Sequence, residues 1–183
     1  EAAQQYRVDD REVLNSGKPK NVEELLVTHG KSIWIETYKS PVALDGEVIG
    51  TVGFARDTSE RKYYEQQLER IAHYDKLTGL PNRVLLADRL QQAMVQAQRN
   101  GKKVAVAFLD LDGFKAINDQ YGHDAGDHLL NGLASHMKRA LREGDTLARL
   151  GGDEFVALFL GLPDVESTAP LLTRLLAAAN EVV

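Results

Sequence analysis

Cysteine is absent from this sequence, which excludes disulfides, thiolate zinc sites and cysteine nucleophiles but does not fix the compartment. Long hydrophobic runs are also lacking. The longest, Val104–Leu109 and Phe155–Leu160, span six residues each, against the ~20 that a membrane-crossing helix needs. There is no excess of basic charge, with 22 Lys and Arg facing 27 Asp and Glu for a net charge of −5. Residues 1–73 hold 10 basic and 13 acidic side chains, and residues 74–183 hold 12 and 14. Neither half offers the cationic surface that phosphate-backbone binding requires, so no nucleic-acid partner is expected. A small polyanion held through a metal ion is compatible with that charge. The five histidines, at 29, 73, 123, 128 and 136, show no HExxH-like spacing, which argues against a histidine metal site. Residue 1 is Glu, and nothing after it reads as a signal peptide. The chain therefore reads as an internal piece of something longer.

What is present is ordinary globular composition: 183 residues, 43% hydrophobic and 27% charged. That suffices for one domain or two small or incomplete ones. Up to about residue 56 the pattern is strand-like. Lys31–Ser40 is rich in β-branched and aromatic residues, Asp45-Gly46 is a tight-hairpin signal, and Glu47–Ala55 reads as the return strand. Glu23–Thr28 reads as a third strand, turned by His29-Gly30. Three strands need a cover on their apolar face. Upstream there is only a short helix in residues 1–15, so the expectation is a domain without its first half. Asp57 then caps a helix to His73, with Glu60 as reciprocal partner. Its Tyr64, Leu68 and Ile71 stripe suits a coiled-coil seam, or equally a connector packed on its own domain.

From Tyr74 onward helices and strands alternate. The pattern predicts a helix opened by Pro81 and stopped by Gly101, a buried strand Val104–Asp110, a short helix Phe114–Gln120 and a longer one Ala125–Arg142. Strands Thr146–Leu150 and Glu154–Leu160 flank a Gly151-Gly152-Asp153 hairpin, and Pro170–Asn180 is a final helix. One further strand would complete a β-α-β-β-α-β sheet. The fold class is α+β: a partial antiparallel sheet, a linker helix, then a βαββαβ domain truncated at its C-terminus. Its expected segments are 1–56, 57–73 and 74–183.

Asp110 ends an apolar strand, where a charge belongs at the rim and can reach a ligand. Asp153 and Glu154 lie in a hairpin whose two glycines permit φ > 0 and close backbone approach. Bringing Asp110 to this hairpin would gather oxygen ligands suited to Mg²⁺, which commonly also takes substrate phosphates. Paired ions of this kind serve phosphoryl transfer. In the plainer reading, Asp153 serves the turn and Asp110 caps the next helix.

Gly151-Gly152-Asp153-Glu154-Phe155 spells GGDEF, after Arg149-Leu150. Upstream stand DKLTGLPNR at 75–83 and FLDLDGFKAINDQYGHDAGDHLL at 108–130. Together these blocks resemble the GGDEF diguanylate cyclase family, whose domain is palm-like. The resemblance implies an enzyme that condenses two GTP molecules to cyclic di-GMP, with one GTP held by each domain of a homodimer. It implies Mg²⁺, with Mn²⁺ as an alternative ion. By match of position, Asp110, Asp153 and the Leu111 carbonyl would hold metal, and Glu154 would hold metal or activate the 3′-hydroxyl. Asn118 and Asp127 would read guanine, whose N–H donors a carboxylate accepts. Gly113, Phe114 and Lys115 would cradle phosphates at a helix start, and Arg149, Gly151 and Gly152 would complete the substrate site. Arg142 and Asp145 match the RxxD at which the family's product inhibits, and Arg suits a cyclic dinucleotide. Alone, the pair reads as an exposed i,i+3 ion pair worth little.

Trp34, the Asp45-Gly46 hairpin and the stretch DTSERK at 57–62 resemble the C-terminal half of a PAS sensor domain, with no haem or flavin ligand to carry over. Trp34, Ile35 and Val52 read as core. The implied protein is a PAS-controlled cytoplasmic cyclase, with any membrane anchor upstream. The rival is a GTP-binding regulatory domain controlling an attached phosphodiesterase. Family cyclases continue with two strands and a basic helix after the point where this chain ends, so the segment alone is expected to lack turnover.

Overall fold

The computed structural model describes residues 2–28 and 30–182, with the backbone only for 2–5 and 28. By internal contacts the chain falls into two compact units, Glu1–Leu68 and Glu69–Val183.

The first unit opens with α1 (Ala2–Ser16), followed by β1 (Lys20–Thr28), β2 (Lys31–Leu44) and β3 (Glu47–Asp57). These strands form an antiparallel sheet in the order β1-β2-β3. Asp45 and Gly46 both take positive φ, 51° and 87°, which is the turn that the strands' right-handed twist favours. At the other turn, His29 lies outside the described residues. Pro41 lies in the central strand, where a missing N–H would ordinarily break the ladder. It is tolerated because β1 pairs with β2 only as far as Lys20↔Lys39, so no strand flanks Pro41 on that side.

The expectation that nothing upstream covers this sheet is corrected by α1. Val13 is fully buried, and Asp10 pairs with Lys39 at 2.8 Å while accepting from Thr51. Lys39 also donates to the Tyr6 carbonyl. The cover is thus held largely by polar contacts, which a search for an apolar helix face overlooks. Of the residues read as core, Trp34 and Ile35 are half-buried and Val52 is exposed.

Helix α2 (Ser59–His73) follows. Thr58 is its capping residue, with its carbonyl accepting from Lys62, and Asp57 accepts the Ser59 N–H. Tyr64, Leu68 and Ile71 are all exposed.

The second unit continues with α3 (Arg83–Asn100), β4 (Lys103–Leu109), α4 (Phe114–Tyr121), α5 (His123–Ala140), β5 (Thr146–Gly151), β6 (Glu154–Leu162) and α6 (Thr168–Asn180). Helix α3 begins two residues later than Pro81 because Asn82 caps it, accepting from the Val84 and Leu85 N–H groups. Pro81 stays extended, bridged to Tyr74. The sheet order is β4-β6-β5, all antiparallel. Central β6 is buried from Phe155 to Phe159. Phe155, Ala157 and Phe159 share a core with Leu130, Leu133, Met137, Leu171 and Leu175 of α5 and α6. The alternate residues Val156 and Leu158 pack with Leu86 and Ala93 of α3. Strand β4 is an edge rather than the fully buried strand expected, with Phe108 78% exposed. It also ends at Leu109, and Asp112 lies in a turn. No helix among the described residues is long and apolar enough to cross a membrane.

Candidate active site

The hairpin between β5 and β6 depends on glycine. Gly151 takes φ 143° and Gly152 φ 52°, values that side chains resist. Arg149 holds the turn from within. Its Nε and Nη2 donate to the Gly152 carbonyl at 3.0 and 2.7 Å, and its Nη1 donates to Asp75 Oδ1 at 2.9 Å. Arg149 is 9% exposed. Expected from the sequence to complete the substrate site, Arg149 here has its guanidinium enclosed and engaged by the protein itself.

Asp75 Oδ1 also accepts from the Thr78 N–H and hydroxyl, at 2.9 and 2.6 Å. Burial alone raises the Asp75 pKa. The Thr78 hydrogen bonds and the Arg149 guanidinium outweigh it and hold the carboxyl below its ordinary value. Sequence reasoning gave Asp75 no role. The Asp-x-x-Thr spacing of a local side-chain turn was the available signal.

Asp110, Asp153 and Glu154 lie at the same end of the sheet. Leu109 pairs with Phe155, so Asp110 follows the last paired residue of β4 and Glu154 precedes its partner on β6. Both are exposed, and Asp153 is half-buried beside them. The Leu111 carbonyl follows Asp110 and accepts the Phe114 N–H at 3.2 Å, leaving a second lone pair. Among the described residues no three acidic or histidine side chains converge on one point. The carboxylates at this end and the Leu111 main-chain carbonyl are all oxygen donors. Such a set fits a hard divalent cation that completes its shell from substrate phosphate and water.

Gly113, at φ 80°, leads into α4 and places the first-turn N–H groups of Phe114 and Lys115 just beyond Asp110 and Leu111. At the far end of α4, the Asn118 carbonyl accepts the Gly122 N–H at 2.9 Å. The Asn118 side chain and the Phe114 ring both lie against Gly126 of α5. Asp127 is exposed on the next residue. Gly126, which sequence reasoning passed over, is what lets the two helices meet here.

Arg142 and Asp145 lie at the opposite end of β5 from the hairpin, roughly 17 Å away at a strand's rise per residue. They do not form an ion pair. The Asp145 carboxylate accepts the main-chain N–H groups of Arg142 and Leu160, at 3.3 and 3.2 Å. The exposed Arg142 side chain instead lines a cleft of about 360 Å³ together with Arg89 and Lys138. Neither of those two cations was legible in the sequence, because they come from different helices.

Residues 72–183 match the family described as diguanylate cyclase, GGDEF domain, and residues 1–63 match the PAS fold. The probable diguanylate cyclase DgcE of Escherichia coli is 41% identical over 166 residues, 87% of this chain and 15% of that protein. The bifunctional diguanylate cyclase/cyclic di-GMP phosphodiesterase MucR of Pseudomonas aeruginosa is 56% identical over 93 residues, 51% of this chain and 14% of that one. The chain thus spans about one-seventh of the length of these relatives. The coiled coil and GGDEF domain of DgcB from Caulobacter crescentus, solved with c-di-GMP, superposes with a TM-score of 0.57 at 32% identity, covering 63% of this chain and 60% of that one.

Proposed function

The chain belongs to the diguanylate cyclase GGDEF family, and on that premise we propose that it condenses two GTP molecules into cyclic di-GMP with release of pyrophosphate. The observation that supports this reading is the Leu109↔Phe155 register, which ends β4 one residue before Asp110 and one residue from Glu154 of the hairpin. Mg²⁺ bound by Asp110, the Leu111 carbonyl, Asp153 and Glu154, or Mn²⁺ in its place, would neutralise charge on the phosphates. The 3′-oxygen of one GTP attacks the α-phosphorus of the other. The bond from that phosphorus to the bridging oxygen breaks, and pyrophosphate leaves. The Glu154 carboxylate either ligates the metal or takes the hydroxyl proton. Asp127 accepts from guanine N–H groups and Asn118 satisfies its remaining edge. Gly113, Phe114 and Lys115 line the terminal phosphates at the start of α4, with the Phe114 N–H held by the Leu111 carbonyl, and Gly151 and Gly152 admit the nucleotide close to the backbone.

Each site holds one GTP, so turnover needs two copies facing each other. The exposed Tyr64, Leu68 and Ile71 stripe on α2 supports pairing of the linker helices. The match of residues 1–63 to the PAS fold supports control from an upstream sensor, with 1–56 as sensor, 57–73 as linker and 74–183 as cyclase. Arg142 and Asp145 are assigned to product inhibition. The test is to incubate the intact protein with GTP and Mg²⁺ and follow cyclic di-GMP by chromatography. Glu154→Gln is expected to cut turnover about 10³-fold. GTP binding without synthesis in the unaltered protein would instead favour a regulatory domain.

A further inference from the structure

We propose that Asp75 and Arg149 are positioning residues for the chemistry at the Gly151–Glu154 hairpin, acting through the Gly152 carbonyl. For its kinetic consequence this rests on the cyclase reading, but the geometry stands apart from it. The hairpin carries two successive glycines at positive φ. Glycine has the widest backbone freedom of any residue, and neither position has a side chain to pack. The turn's direction must therefore be set by bonds to its main chain. Two of the Arg149 hydrogen bonds converge on the Gly152 carbonyl. They fix the peptide that leads into Asp153, and with it the direction from which Asp153 and Glu154 leave the turn.

Arg149 is itself held from two sides. Its main-chain N–H donates to the Pro81 carbonyl at 3.0 Å, and its remaining guanidinium nitrogen meets Asp75. The Asp75 oxygen is oriented in turn by Thr78. The loop is closed by Asp75 N–H to the Leu80 carbonyl and Gly79 N–H to the Asp75 carbonyl, at 2.8 and 2.9 Å. A rigid turn at 75–81 thus aims a planar fork at a turn that cannot aim itself. Only a fork can do this, because one ammonium group cannot place two donors on Gly152 and a third on Asp75 in fixed relation. The Asp75 and Arg149 side chains are only 19% and 10% exposed and face each other. They act on the reaction through the hairpin rather than by contact with nucleotide.

The test compares Arg149→Lys and Asp75→Asn with the unaltered intact protein. The measurements are turnover, affinity for a non-hydrolysable GTP analogue, and amide hydrogen exchange across residues 150–160. Misplacing catalytic groups by about 1 Å lowers turnover roughly 100-fold. Arg149→Lys is expected to show that loss with analogue affinity within about threefold, because only the reacting geometry moves. The Gly152–Glu154 amides should exchange faster while those of β6 from Val156 onward stay protected. Asp75→Asn, which keeps shape and hydrogen bonding but removes charge, should fall between the two. Turnover and affinity falling together, or turnover falling only in step with the folded fraction, would overturn the proposal. So would unaltered hairpin exchange in Arg149→Lys. If the unaltered protein makes no cyclic di-GMP, the cyclase reading fails by itself, and the exchange measurement still decides whether this pair sets the hairpin.

Discussion

The Asn118 carboxamide occupies the space in which a Cβ on Gly126 would stand, and the Phe114 Cζ lies 3.2 Å from the same point. The close approach of α4 and α5 therefore depends on one missing methyl group. Gly126 is in a helix, where glycine is ordinarily unfavourable by up to ~1 kcal/mol, and here contact replaces propensity as the deciding term. Gly126→Ala is expected to displace Asn118 and weaken binding of a GTP analogue about tenfold, or ~1.4 kcal/mol. Calorimetric titration measures this, and unchanged affinity would remove Asn118 from the nucleotide site.

The Asp75 carboxyl gives a pH dependence of known sign. Its folded pKa lies below the ordinary value, so the folded state holds its proton less tightly than the unfolded chain. Its stabilising contribution is present above about pH 4, the unfolded value, and is lost as pH falls through the lower, folded one. In Asp75→Asn, neutral-pH stability should drop by about 2 kcal/mol, and the fall in stability below pH 4 should be shallower than in the unaltered protein. Urea melts from pH 3 to pH 7 check both points.

Arg142 is exposed beside Arg89 and Lys138, while Asp145 is engaged with the main chain. The two halves of the motif should therefore fail differently. Arg142→Ala is expected to raise the cyclic di-GMP concentration needed for half inhibition by about tenfold or more. Asp145→Ala should also lower the melting temperature, because the Leu160 N–H loses its acceptor. If product titration gives the same inhibition in Arg142→Ala, the RxxD is a turn and nothing more.

Phe159 lies at the centre of the second unit, fully buried with Leu133, Met137 and Leu175. Truncating it leaves a cavity that the sheet and two helices cannot collapse into. Phe159→Ala is expected to cost about 3–5 kcal/mol, read from denaturant unfolding. Phe108→Ala, on the exposed edge strand, should cost far less.

Local pattern determined most of the elements. The Asp45-Gly46 turn, the β5–β6 hairpin and the six-residue apolar runs at Val104 and Phe155 are short-range signals. Turn dihedrals and side-chain periodicity depend on neighbours in the chain. That one carboxylate follows a strand and another opens the next was legible for the same reason. What the sequence could not supply was the choice among partners. Arg149 reads from the sequence as part of the substrate site, and the fold engages its guanidinium with Asp75, 74 residues away. Asp145 had the look of half an ion pair, and the fold gave it the Leu160 N–H. Strand β4 read as buried, and the sheet order left it at the edge. A charged or polar group bonds to whatever lies within about 3 Å. In a folded chain that neighbour is set by strand order and helix packing, which no local period encodes.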